Sequence, residues 1–200
     1  MYKAHPCPHP SSKPIISLRM RAYHFDNEPT DQRLPHECNP PEPVDLSVLE
    51  KIGVLHWRIP VDDDYQSKID QVATERGYKN RDVINVSRAG LGDAYETKIK
   101  GFFEEHMHED EEIRYILSGS GYFDVRETPD DRWIRIACVP GDLLVLPAGI
   151  YHRFTLDTND ATQALRLFKD EPKWTPLNRG PETDRNPHRI EYLKRIGATA

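Results

Sequence analysis

The sequence predicts a mainly β fold, an antiparallel sandwich or closed barrel with a few flanking helices. Three observations point to it. From about residue 102 onward, short runs rich in β-branched and aromatic residues follow one another at 113–117, 122–127, 132–139, 143–146, 150–157 and 161–169. Turn-forming clusters separate them: Gly119-Ser120-Gly121, Pro129-Asp130-Asp131, Pro140-Gly141-Asp142, Pro147-Ala148-Gly149 and Thr158-Asn159-Asp160. Helical patterns lie before this stretch, at 45–78, and after it, at 188–196, so the strands do not alternate with helices as a parallel sheet requires.

Taken in order, residues 1–19 read as a flexible N-terminal extension. Pro6, Pro8, Pro10 and Pro14 oppose a helix, and no apolar signal core follows. The segment has no acid before Asp26 and carries Lys3, Lys13, Arg19 and Arg21, as a transit peptide would. The prolines oppose the amphipathic helix such a peptide forms, and Met20 is an alternative start. Residues 35–43, with four prolines, form an extended connector. Asp45 is the expected N-cap of a short helix carrying Leu46, Leu49 and Ile52 and ended by Gly53. A strand at 54–59 stops at Pro60. Asp62 is the expected cap of a second helix, with Tyr65, Ile69 and Val72 on one face and Gly77 closing it. The main domain runs over 20–180. The tail from Trp174 is proline-rich, and 181–200 is a C-terminal tail with a short helix at 188–196.

The chain has 200 residues, enough for one domain with a full core. A net charge of −6 argues against a nucleic-acid partner, and no apolar run is long enough to span a membrane. Cys7, Cys38 and Cys138 are odd in number and far apart, which argues against a disulfide framework and a cysteine zinc site and fits a reducing compartment. A monomer is expected, in the cytoplasm and also the nucleus, although no basic cluster marks a nuclear signal.

Chemistry concentrates in Glu104-Glu105-His106-Met107-His108-Glu109-Asp110-Glu111-Glu112. On a strand, residues i and i+2 share a face, so His106 and His108 can present imidazoles to one point. Imidazole with a carboxylate suits a divalent transition metal, but four acids follow His108 and the residues alone leave the carboxylate open. His152, just after the Pro147–Gly149 turn, can return across a barrel to the pair. The pair by itself also fits a polar surface strand, and His152 by itself a structural histidine. Their combination on two hairpin edges favours a metal site.

Residues 106–119 resemble the first cupin motif, HxHxxxExxxxxxG, through His106, His108, Glu112 and Gly119. Only Glu112 leaves the required spacing before Gly119. Residues 141–152 resemble the second motif, GxxxxxPxGxxH, through Gly141, Pro147, Gly149 and His152. Leu156 stands where that motif often has Asn, and Gly101 lies one residue closer to the first histidine than usual. The words MRAYHFD (20–26), DQRLPH (31–36), FFEEHMHEDEEIRYILSGSGYFDVR (102–126) and LPAGIYHRF (146–154) go further and resemble the acireductone dioxygenase family. The similarity runs from Met20 to near residue 180.

That resemblance implies a cupin jelly-roll barrel and a metal held by His106, His108, Glu112 and His152. It implies Fe(II) as cofactor, one per monomer, with Ni(II) as an alternative. The implied reaction belongs to methionine salvage. Its substrates are O2 and the small molecule 1,2-dihydroxy-3-keto-5-methylthiopentene, an acireductone. The iron form gives 4-methylthio-2-oxobutyrate and formate; the nickel form gives 3-methylthiopropionate, formate and carbon monoxide. Arg114, two residues beyond Glu112, shares its face on a strand and suits an anionic enediolate as a catalytic and substrate-binding group. Phe154, two beyond His152, and Phe102, four before His106, are candidate substrate-binding walls for the methylthio end. Glu105 is expected to face away from the site. His5, His9, His24, His36, His56 and His188 lack a partner at ligand spacing, and the acids at 109–111 are expected to form a solvated loop.

Overall fold

Two antiparallel sheets face each other across one apolar core in the computed structural model, which describes residues 20–62, 64–170 and 175–198. The strands are β1 (Arg21–His24), β2 (Leu55–Arg58), β3 (Asn80–Ser87), β4 (His106–Met107), β5 (Glu112–Gly119), β6 (Gly121–Arg126), β7 (Trp133–Cys138), β8 (Asp142–Leu146), β9 (His152–Leu156), β10 (Ala161–Phe168) and β11 (Leu177–Asn178). The helices are α1 (Leu46–Lys51), α2 (Tyr65–Arg76), α3 (Arg88–Leu91), α4 (Tyr95–Phe103), α5 (Pro181–Asp184) and α6 (Pro187–Arg195). One sheet has the order β1-β7-β6-β9-β4-β11 and the other β2-β8-β5-β10-β3. This is the mainly β jelly-roll arrangement expected. Among the described strands no hydrogen-bonded pair joins the two sheets, so they make a sandwich and not a closed barrel.

Alternation places the side chains. Along β8, Leu144 and Leu146 enter the core between the sheets, while Leu143 and Val145 face outward under α2. Ile69, Val72 and Ala73 of α2 cover Ile113, Tyr115, Leu165 and Leu167 on that outer face. Strand β8 of the five-stranded sheet is therefore buried on both sides, which is why it reads as a continuous apolar run. Between the sheets lie Ile116, Phe123, Val125, Ile134, Ile136 and Ala164, closed at one end by Leu49 and Ile52 of the α1 region and by Tyr192 and Leu193 of α6.

The helix signals operate as read at three of four ends. Asp45 accepts from the Ser47 N–H at 2.9 Å, and Gly77 ends α2 in the left-handed conformation. The second cap is the exception: α2 begins after Asp64, and Asp62 instead accepts from the Asp64 N–H at 3.1 Å. Strands β1 and β3 and helices α3 and α4 have no counterpart in the sequence reading. Among the described strands β3 pairs only with β10, and it is mostly exposed, so NRDVINVS shows little apolar alternation.

The outer face of the six-stranded sheet is charged and buried. Arg135 donates to both Asp124 oxygens at 2.7 and 3.0 Å and to the carbonyls of Gln32 and Leu34 at 3.1 and 2.6 Å. Arg153 donates to Asp124 at 2.8 Å. The DQRLPH segment thus serves as a lid of carbonyl acceptors over this pair. Cys38 and Cys138 are free thiols. The extension expected at 1–19, with Cys7, His5 and His9, lies outside the described residues, as does Trp174. Among the described residues no helix is long and apolar enough to cross a membrane.

Candidate metal centre

Both sheets contribute to one cluster. His106 on β4 is the direct cross-strand partner of His152 on β9, and His108 follows β4 immediately. Glu112 opens β5 in the facing sheet, opposite Leu146. One potential ligand atom from each of His106, His108, Glu112 and His152 lies within 4.8 Å of all the others. Glu112 Oε2 is 3.1 Å from His108 Nε2 and 3.0 Å from His152 Nε2.

The rings are oriented by backbone. Nδ1 of His106 lies 2.6 Å from the Glu104 carbonyl, Nδ1 of His152 lies 3.1 Å from that of Ile150, and Nδ1 of His108 lies 3.4 Å from that of Thr175. A carbonyl only accepts, so each Nδ1 carries the hydrogen when the ring is neutral. The Nε2 lone pairs are left for the cluster, which is how histidine ligands are held ready for a metal. Three such nitrogens and one carboxylate are a donor set suited to a first-row divalent ion.

The titration behaviour agrees with this. Burial, reinforced by His152, pushes His106 down to about 3, keeping its ring neutral. Burial opposes ionisation of Glu112. The charge of Arg114 and the hydrogen bonds of His108 and His152 outweigh it and hold the carboxyl well below its usual range. His108 is the exception. Burial disfavours its charged form, but the hydrogen bond and charge of Glu112 prevail and raise it above its ordinary 6.5. A proton on His108 is therefore the main competitor for an incoming cation. Metal affinity should climb as pH rises through the His108 value above 6.5 and level off beyond it, and it should fall most steeply near 3, where His106 also takes up a proton. Isothermal titration with Mn(II) from pH 6 to 8.5 checks this: about one proton should be released per ion at the acid end, falling toward none at the alkaline end.

A cleft of about 460 Å³ opens onto the cluster. Arg114 lines it beside Glu112, with Nη2 3.0 Å from Glu112 Oε1 and Nη1 donating to the Ile113 carbonyl at 3.0 Å. Phe154 and Phe102 form an edge-to-face pair at 6.3 Å on the apolar wall, Phe154 from β9 and Phe102 from α4. Ile84 and Val86 of β3, Thr162, Ala164 and Arg166 of β10, Thr97 and Lys98 of α4, and Asn178 also line the cleft. None of these was singled out from sequence. The i, i+2 spacing in β10 would have found Thr162, Ala164 and Arg166, since that strand had been recognised.

Two expectations about neighbouring acids need correction. Glu111 is not solvated: it bonds Arg76 at 2.9 Å and the Tyr78 hydroxyl at 2.8 Å, and pairs with Lys169 at 3.1 Å. Glu109 accepts from Asn186 at 3.0 Å, which leaves only Asp110 as an exposed loop acid. The reason is that α2 and α6 flank this loop, which its local sequence does not reveal. Glu105 turns away from the cleft to Arg126 and Arg179. His24, His36 and His56 each pair with carboxylates outside the cluster.

Gly149, in the turn before His152, has φ +83°, and an added Cβ would lie 2.4 Å from the His188 carbonyl oxygen. Gly149→Ala combines left-handed strain with a clash against backbone, so it should cost about 2–4 kcal/mol of stability by chemical denaturation.

Comparison with known proteins gives a consistent picture. The profile of the ARD/ARD′ family matches residues 21–176. Acireductone dioxygenase 1 of Coprinopsis cinerea is 64% identical over 181 residues, which cover 90% of this chain and 100% of that protein. The acireductone dioxygenase of Phaeosphaeria nodorum is 59% identical over 175 residues, covering 88% of this chain and 96% of the relative. Among solved structures, the acireductone dioxygenase from Bacillus anthracis with a cadmium ion in its active centre superposes with a TM-score of 0.64. It is 24% identical and covers 79% of this chain and 98% of its own.

Proposed function

This chain belongs to the ARD/ARD′ family of acireductone dioxygenases, and from that premise we propose that it is a metal-dependent enzyme of methionine salvage oxidising 1,2-dihydroxy-3-keto-5-methylthiopentene with O2. The observation that carries the reading is the convergence of four potential ligand atoms within 4.8 Å at a cleft lined by a guanidinium and phenyl rings. His106, His108, Glu112 and His152 would hold the metal. The cadmium ion in the Bacillus anthracis relative's active centre supports a divalent ion in this fold. When bound, Fe(II), or Ni(II) as the alternative, supplies Lewis acidity that favours the ionised, electron-rich enediolate.

The remaining work falls to protein groups. Arg114 is placed to neutralise and orient an anionic enediolate oxygen through a charge-assisted hydrogen bond. Its pairing with Glu112 fixes the guanidinium in advance, so little order is lost when substrate arrives. Phe102, Phe154, Ile84 and Val86 offer the apolar surface a methylthio tail needs and exclude water from the reacting carbons. The same reading carries a monomer acting on a small molecule, in the cytoplasm and also the nucleus.

The test is product analysis on apo-protein loaded separately with Fe(II) and Ni(II). The iron form should release formate and 4-methylthio-2-oxobutyrate. The nickel form should release formate, 3-methylthiopropionate and carbon monoxide. Failure of both forms to consume the enediol would sink the proposal.

A further inference from the structure

Residues 177–198 lie beyond the stretch matched by the family profile, and no candidate ligand comes from them. They nevertheless grip the backbone of the site. The Gly149 N–H donates to the His108 carbonyl at 3.0 Å, which ties the turn that delivers His152 to the backbone of another cluster histidine. The carbonyl of the same Gly149 accepts from Arg189 Nη1 at 3.0 Å, in a buried bond. Arg189 is only 8% exposed, and its guanidinium lies 4.4 Å from the ring of Tyr151, the residue before His152. One turn earlier, Asn186 donates to Glu109, the residue after His108, at 3.0 Å.

Covering apolar core does not account for these contacts, because Tyr192 and Leu193 already do that from the same helix. A guanidinium is costly to bury and is kept only where it has specific acceptors or ring faces. Here those partners are the turn before one histidine and the residue preceding it.

We infer that α6 is a clamp on the metal centre, with Arg189 a positioning residue that holds the Gly149 turn and so sets the separation of His108 and His152. The inference rests on the reading of those histidines as ligands.

The experiment follows Co(II) loss from the loaded full-length protein into excess chelator, alongside thermal unfolding of the apo form. The variants are Arg189→Met, Arg189→Lys, Asn186→Ser and Tyr192→Phe. Serine retains the N-cap that Asn186 provides to His188 but cannot reach Glu109. Tyr192→Phe removes a hydrogen bond from α6 to the Ile52 carbonyl and keeps the Cβ and ring that pack beside Gly149 and Arg189. Arg189→Met should speed Co(II) loss about tenfold, the scale of changes to groups that orient metal ligands. Asn186→Ser should act in the same direction, and Arg189→Lys should recover part of the loss. Tyr192→Phe should lower apo stability and leave the Co(II) rate unchanged. Rates that simply track apo stability across all four variants would overturn the clamp. A wild-type chain that fails to hold Co(II) would instead overturn the ligand reading beneath it.

Discussion

Alanine at His106, His108 or His152 is expected to reduce metal affinity more than about 100-fold, beyond the range seen when only an orienting group is lost. Each ring has one nitrogen on a backbone carbonyl and the other in the cluster, so no neighbouring side chain can replace it. Glu112→Ala should fall in the same class and carry an added penalty, since it removes the carboxylate that pairs with Arg114 at 3.0 Å. Glu111→Ala separates the two acids. It strips Arg76, Tyr78 and Lys169 of a shared acceptor and should lower stability, with metal content unchanged. Elemental analysis after gel filtration, paired with thermal unfolding, reads both effects. Metal retained in the Glu112 variant and lost in the Glu111 variant would show that the wrong carboxylate was chosen.

The second large effect is at Arg114. Arg114→Met should retain metal near pH 8 and lose kcat/KM by roughly 30- to 5,000-fold, corresponding to about 2–5 kcal/mol for a desolvated charge-assisted contact. The structure adds a consequence absent from the sequence reading, because Arg114 also helps to hold Glu112 ionised. Glu112 has a depressed folded value, so the stability its ionisation contributes is present at neutral pH and lost on acidification. Removing Arg114 raises that value, and the variant should release metal at a higher pH than wild type does. Wild-type turnover in a metal-loaded Arg114→Met protein would reduce Arg114 to a structural partner of Glu112.

Much of this site was legible because strand periodicity is local. The i, i+2 relation puts Glu112 and Arg114 on one face of β5 and His152 and Phe154 on one face of β9. It needed no knowledge of where the sheets go. The Pro147–Gly149 turn likewise announced the return of His152. The choice of Glu112 over Glu111 came from motif spacing, and its physical basis appears only in three dimensions: Glu112 faces the inter-sheet space, while Glu111 faces α2. What stayed hidden was non-local. Helix α4, which supplies Phe102 and the rim of the cleft, lies in a stretch whose apolar positions are shared between the cleft and β9. Strand β3 is an edge strand that buries few residues, and β11 has only two. The role of α6 depends on a backbone carbonyl at Gly149, and no side-chain pattern reports such a bond.

The most direct test is a titration of apo-protein with Fe(II), with the initial rate of O2 uptake on the enediol followed in an oxygen electrode. The account predicts no uptake by apo-protein beyond the enzyme-free rate. Uptake should then rise linearly with added metal and break sharply at one Fe(II) per chain, with one O2 consumed per enediol. Uptake that is independent of Fe(II), or none at full occupancy, would contradict it.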